Sequence, residues 1–301
     1  MAAVQAPLTQ NAVNTTLNYY LDPAKGGHES MQLGTAGYFR LKYNEQPVQI
    51  HDLRGRENQF NLADNAFQHR RHVSSEKDFS DDDAIKNTYY KEIEQLLKEV
   101  TGASRVHVFS HMVRRSDKES LRASASKLED SSTITAPPPA TYVHVDQSEQ
   151  GAYTVLNDNP VPKAPATLQN CRFAIINVWR PIKPIYKDPL AVCDARSVPE
   201  SDFVPVTAYF PPKGSMQYAE LSGGNSYEVY YAKANPQHRW YFVNNMQPDE
   251  VLCIKCYDSK KDGTVGRRAP HSAFSDPRTV GDKTRESVEV RTLCFWEDEA
   301  R

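Results

Sequence analysis

A chain of 301 residues is long enough to bury a substantial core as one large domain. Its 36 basic and 38 acidic side chains leave a formal charge of −2, without the basic excess of a dedicated nucleic-acid surface. No apolar run reaches the ~18–20 residues that span a bilayer, no charged N-terminal segment leads into an apolar one, and the five scattered cysteines form no disulfide framework. A reducing, cytoplasmic setting is expected, with no nucleic-acid or membrane partner.

Residues 1–30 read as a loosely ordered N-terminal arm, ahead of a single domain over 31–301. Tyr38–Tyr43 alternates apolar and polar residues and reads as a strand, with Val48–Leu53 as its partner. Residues 61–80 are polar and read as irregular. A helix is predicted from Asp81-Asp82-Asp83, whose carboxylates suit the free N–H groups and dipole of an N-terminus. Ile85, Tyr89, Ile93, Leu96, Leu97 and Val100 follow at helical spacing, and Gly102 is the stop. Arg105–Val113 is an alternating strand.

Residues 116–139 are rich in Ser, Lys and Asp and end in Ala136-Pro137-Pro138-Pro139, the pattern of a mobile loop with a stiffened exit. Strand-like runs then occupy 141–146, 153–156, 172–179, 204–209, 227–232, 239–244, 251–257 and 287–295, separated by turns such as Ser222-Gly223-Gly224-Asn225. One helix followed by many strands predicts a mainly β fold, a double-stranded β-helix of the jelly-roll or cupin type with supporting helices.

The chemistry starts at Thr141-Tyr142-Val143-His144-Val145-Asp146. Residues two apart in a strand point to the same side, so His144 and Asp146 can reach one ion. A late isolated histidine, His271, lies before the last strand and completes two imidazoles and a carboxylate, the facial ligand set of non-haem Fe(II) oxygenases. A buried histidine satisfied by a neighbouring carboxylate is the competing reading. In the last strand Arg285, Ser287, Glu289 and Arg291 share one face. Arg285 and Ser287 can grip a carboxylate, the guanidinium through two parallel hydrogen bonds and the hydroxyl through a third. A surface strand of alternating charge is the alternative.

Tyr142, Tyr153 and Trp240 are candidate pocket-lining aromatics, although aromatics in β-cores more often only pack. Trp179-Arg180 is a second ligand-holding candidate. Cys253 and Cys256 have redox or zinc spacing, but three apart in a strand they face opposite sides and read as structural thiols. No Gly-x-Ser-x-Gly elbow is present.

Five blocks then occur in order: Val143–Ser148, Asn177–Ile182, Asp249–Ser259, Pro270–Phe274 and Arg285–Arg291. In these the chain resembles the fungal hydroxylase/desaturase family that includes gibberellin desaturase-like and cephalosporin 7α-methoxylase J-like proteins. The resemblance runs from about residue 35 to the end. It implies a double-stranded β-helix and Fe(II)/2-oxoglutarate-dependent oxidation of a small secondary metabolite by O2, hydroxylating or desaturating it with release of succinate and CO2. It implies His144, Asp146 and His271 as iron ligands, and Arg285 with Ser287 as the 2-oxoglutarate clamp, with Arg180 and Arg291 also in matching blocks. A cupin-like metalloenzyme that does not use 2-oxoglutarate, and a non-catalytic β-barrel binding protein, are the rival classes. Substrate and oligomeric state are not written in the sequence.

Overall fold

The computed structural model describes residues 12–212, 214–215, 226–279 and 283–301. Among them run fourteen strands: β1 (Ala12–Tyr19), β2 (Ser30–Gln32), β3 (Asn44–Asp52), β4 (Phe67–Arg71), β5 (Arg105–Arg114), β6 (His144–Val145), β7 (Cys171–Pro181), β8 (Leu190–Cys193), β9 (Phe203–Tyr209), β10 (Ser226–Ala232), β11 (Trp240–Phe242), β12 (Glu250–Asp258), β13 (His271–Ala273) and β14 (Ser287–Ala300). They form a nine-stranded sheet, β1-β3-β11-β8-β13-β6-β10-β9-β2, and a five-stranded sheet, β4-β12-β7-β14-β5.

Eight of these strands build the barrel. β5, β7, β12 and β14 lie in the five-stranded sheet; β6, β8, β11 and β13 lie side by side in the other, all antiparallel to their core neighbours. The chain crosses between sheets from β5 to β6 to β7 to β8, and again from β11 to β12 to β13 to β14. That double-sheet winding is the jelly-roll architecture expected from the sequence.

Strand alternation sorts the core. On β7, Phe173, Ile175 and Trp179 face the space between the sheets, while Ala174, Ile176 and Val178 face outward. The outward set packs against Ile93, Leu96 and Leu97 of the helix Tyr90–Thr101. That helix starts as expected: Asp81 caps the preceding turn by accepting from Asp83 and Ala84 N–H, and Gly102 ends it at φ 70°. It braces the five-stranded sheet from behind.

Several local expectations are corrected by long-range contacts. Residues 1–11 of the expected arm lie outside the described residues, but its remainder contains β1, which pairs with β3 along its whole length and buries Val13, Leu17 and Tyr19. Tyr38–Tyr43 is not a strand: Gly37–Arg40 is a 3-10 turn, tied down by Gly37 N–H to Asp130 O and by Arg40 to Asp130, Ala125 O and Leu128 O. The polar 61–80 stretch contains β4, an edge strand on β12. The expected loop at 116–139 carries a helix, Lys118–Ala125, capped by Asp117 and packed through Ala125 against Ala36 and Ile134. The 153–156 run is helical, inside Glu149–Asp158, because Ser148 caps Gly151 N–H and Ala152, Val155 and Leu156 form an i, i+3, i+4 face. The Ser222–Asn225 turn lies outside the described residues.

The Glu149–Asp158 helix follows directly on β6 and is held in two ways. A Cβ at Gly151 would sit 1.9 Å from Glu228 O of β10, so only glycine permits the approach. Glu149 accepts from Tyr257 Oη (3.0 Å) and pairs with Lys261 (2.6 Å) and Arg267 (2.8 Å). Burial alone would raise the Glu149 carboxyl, but these partners bring it down from its ordinary 4.5 to about 2. A depressed folded-state value stabilises the protein above the ordinary value and loses that contribution as pH falls toward the folded one. Glu149→Gln is therefore expected to destabilise most at neutral pH. Its deficit in chemical denaturation closes between about pH 4.5 and about 2; a deficit constant with pH contradicts the pairing.

Candidate metal centre

β6 and β13 lie side by side, with His144 directly opposite His271. Both imidazoles face the space between the sheets, their ring centroids 4.4 Å apart. Asp146, two residues beyond His144 where β6 gives way to the helix cap, returns to the same side. Its Oδ1 stands 3.3 Å from His144 Nε2 and 3.6 Å from His271 Nε2. Among the described residues this is the cluster of His, Cys, Asp or Glu atoms close enough to hold a metal ion, all within 4.8 Å of one another.

Backbone and side-chain partners orient all three. His144 Nδ1 donates to Tyr142 O (2.8 Å) and His271 Nδ1 to Ala269 O (3.1 Å), so each Nε2 is left as the inward lone pair. Asp146 Oδ2 accepts from Asn177 Nδ2 (2.7 Å) and from Arg291 Nε (3.4 Å), which leaves Oδ1 for the histidines' side. Burial and the neighbouring His271 keep His144 below its ordinary value. Burial works to raise Asp146, but the two imidazoles beside it and the Arg291 charge outweigh it and hold the carboxyl well below the usual range. Burial likewise works to lower His271, and Asp146 and Glu289 outweigh it. Two nitrogen atoms and one anionic oxygen converge, each with its far side anchored. That donor set fits Fe(II) with coordination positions open on the other side.

β14 supplies the inward polar face. Ser287, Glu289 and Arg291 alternate with the outward Val288 and Val290. Arg291 pairs with Glu289 as well as with Asp146. Arg285, just before the strand, is buried, lies over the Trp179 ring at 5.3 Å and donates to Asp188 O (2.8 Å). Its Nε, Ser287 Oγ and Arg291 Nη1 are buried without partners, a state that costs about 1–3 kcal/mol per group unless a ligand satisfies it. Burial, reinforced by the nearby Arg114 charge, pushes the Arg285 guanidinium down to about 10. Two like charges gathered inside a barrel call for an anion between them.

Arg180 does not join this site. Adjacent residues of a strand face opposite sides, so with Trp179 inward Arg180 points at the bracing helix. There it donates to Tyr89 Oη (2.8 Å), His72 O (2.8 Å), Pro248 O (2.5 Å) and His72 Nδ1. Arg180→Met leaves these buried acceptors unmatched and is expected to cost about 3 kcal/mol or more in unfolding experiments, without altering the requirement for an anionic cosubstrate. Trp240 is also elsewhere, on the opposite face of the nine-stranded sheet with its Nε1 on Tyr19 Oη (2.8 Å). Tyr153 sits on the Glu149–Asp158 helix against Phe173 and Tyr257. Tyr142 is at the site, its ring 4.4 Å from that of His144. Cys253 and Cys256 belong to the cores on opposite sides of their sheet, and all five cysteines are free and buried.

Sequence reasoning passed over Asn177 and Arg114. Asn177 stands one turn of the strand alternation from Trp179, a signal available in the Asn-Val-Trp-Arg block. Arg114 ends β5 and lines the cavity at the triad with Tyr38, Tyr142, Phe210 and Arg291; only the pairing of β5 with β14 brings it there.

Residues 17–295 match a family profile described as an oxidoreductase/YMDC permease-like domain, although no helix among the described residues is long and apolar enough to cross a membrane. The chain is 43% identical over 301 residues to the hydroxylase/desaturase efuI of Hormonema carpetanum, covering 100% of this chain and 99% of that one. It is 40% identical over 286 residues to the hydroxylase/desaturase CTB9 of Cercospora beticola, covering 94% and 86%. It is 30% identical over 287 residues to the alpha-ketoglutarate-dependent dioxygenase phiK of a fungal species, covering 95% and 97%. In fold it is similar to the solved iron and alpha-ketoglutarate-dependent endoperoxidase NvfI, with a TM-score of 0.75 at 24% identity over 97% of this chain and 99% of that one. The chain belongs to the fungal hydroxylase/desaturase family.

Proposed function

We propose that His144, Asp146 and His271 hold the Fe(II) of this 2-oxoglutarate-dependent oxygenase, and that the inward face of Arg285 and Ser287 binds the 2-oxoglutarate. The observation that carries the reading is the convergence of His144 Nε2, His271 Nε2 and Asp146 Oδ1, each anchored from behind. The unsatisfied Arg285 and Ser287 atoms on the neighbouring strand support the second half. When bound, iron would let O2 act as the oxidant that removes hydrogen from the substrate, with 2-oxoglutarate supplying the other two electrons as it is oxidised to succinate and CO2. The chain's own residues orient and exclude. Asn177 and Arg291 keep Asp146 Oδ1 turned to the metal position. Arg285, with Ser287, gives the remote carboxylate a bidentate partner. Met31, Leu33, Val229 and Phe210 give the chamber an apolar wall opposite its polar groups. The substrate is a small natural product that is hydroxylated or desaturated in a fungal biosynthetic route, and the buried free thiols suit a reducing, cytoplasmic setting.

The test is anaerobic loading with Fe(II), then oxygen with and without 2-oxoglutarate. About one iron per chain and succinate only when both are present are expected. Bound iron without 2-oxoglutarate dependence leaves a cupin-like metalloenzyme; no bound iron leaves a binding barrel. With candidate metabolites, a mass change of about +16 Da marks hydroxylation and about −2 Da desaturation.

A further inference from the structure

The chamber at the triad has about 40 Å3 of free volume, far below the ~300–1,000 Å3 of sites that enclose small-molecule ligands. A neighbouring cavity has that volume. About 480 Å3 lies between the Gly37–Arg40 turn, the start of β3, the Lys118–Ala125 helix and the segment from Pro138 to Tyr142. The two cavities share Tyr38 and Tyr142, whose rings meet edge to face at 6.2 Å. On the outer side Tyr43 stacks on Tyr142 at 5.8 Å; on the inner side Tyr142 lies 4.4 Å from the His144 ring. A wall one ring thick therefore separates the larger cavity from the iron position.

The outer cavity is cationic. Lys42, Lys118, Arg122 and Arg40 line it, against the single acid Glu45. Arg40 is committed to Asp130 and two carbonyls. The acids flanking Lys118, Asp117 and Glu119, are taken by Lys187 at 3.0 and 3.2 Å. Lys118, Arg122 and Lys42 make no side-chain hydrogen bond or ion pair among the described residues. Burial lowers the Lys118 ammonium below its ordinary value despite attraction from Asp188, Glu119 and Glu45, and Arg122 adds to the lowering. A partly desolvated cation whose two adjacent acids, Asp117 and Glu119, are paired with Lys187 favours an incoming anion.

We propose that this outer cavity docks the substrate, and that the substrate is an amphipathic natural product bearing a carboxylate. The carboxylate lies against Lys118 and Arg122, the apolar body against Tyr38, Tyr43, Tyr142 and Pro139, and the carbon to be oxidised passes between Tyr38 and Tyr142 toward His144. This rests on the oxygenase reading of the inner chamber, and the two fail separately. The probes are dodecanoate and its neutral amide, titrated calorimetrically into the Fe(II)- and 2-oxoglutarate-loaded protein without oxygen. Dodecanoate is expected to bind about tenfold tighter than the amide, the scale of one charge-assisted hydrogen bond, with the advantage shrinking as salt rises. Lys118→Gln with Arg122→Gln is expected to erase the advantage, and Lys118→Arg to keep it. Equal binding of acid and amide by the unaltered protein overturns the proposal whether or not the variants fold, as does an advantage that survives the double substitution. Succinate formation by the unaltered protein without any acid preference sinks the docking site alone. Acid preference without iron-dependent succinate sinks the inner reading alone.

Discussion

His271→Ala abolishes 2-oxoglutarate turnover and strips the protein of tightly held Fe(II), while the barrel stays folded. Removing the outer partner of a metal ligand already costs on the order of 10- to 100-fold in affinity or activity, so removing one of three ligands costs more. Asn177→Ala provides the graded comparison. The Asn177 side chain makes one hydrogen bond among the described residues, to Asp146 Oδ2 at 2.7 Å, so its loss falls within about 10- to 100-fold and leaves all three ligands in place. Anaerobic Fe(II) titration reads both. His271→Ala binding iron as tightly as the parent, with succinate still forming, removes the assignment. The ordering His271 below Asn177 separates a ligand from its orienting partner, which a loss of folding common to both does not.

Arg285→Gln raises the 2-oxoglutarate KM by about 10- to 100-fold, from the ~1.5–3 kcal/mol of hydrogen bonding to a charged group, and leaves iron binding intact. Arg291→Gln gives the opposite pattern, because Arg291 contacts Asp146 and Glu289 within the metal cluster: iron is held more weakly, and KM follows only as a consequence. Steady-state kinetics at saturating iron, set beside iron titration, resolves the two. An unchanged KM in Arg285→Gln with a raised KM in Arg291→Gln transfers the clamp to Arg291.

Much of the site was legible because strands report in twos. His144 and Asp146 share a face and converge in the structure, while Arg285, just before β14, and Ser287, at its start, are both buried with unpartnered polar atoms. The same rule, applied to Trp179 and Arg180, would have sent Arg180 to the outside. It was obscured because an arginine beside a tryptophan reads as one ligand-holding unit. The fold class followed from the succession of β-runs after one capped helix. What local pattern missed was decided by distant partners. β8 is four uniformly buried residues with no alternation to read. Tyr38–Tyr43 alternates correctly for a strand but is pulled into a turn by Asp130 and by the carbonyls of Ala125 and Leu128, some ninety residues away. Tyr153 and Val155 alternate as in a strand, and the Ser148 cap with the close Gly151 contact overrides them.

The wall of Tyr38 and Tyr142 has a kinetic meaning. A chamber of about 40 Å3 is on the scale of a few waters, so on the route proposed above a substrate docked in the outer cavity reaches His144 while the two rings stand apart. The measured dissociation constant is then the intrinsic one divided by the open fraction. Association levels off at the opening rate instead of climbing with concentration, as for any ligand that waits on a conformational step. Substitutions that merely loosen the rings tighten apparent affinity without making a single new contact.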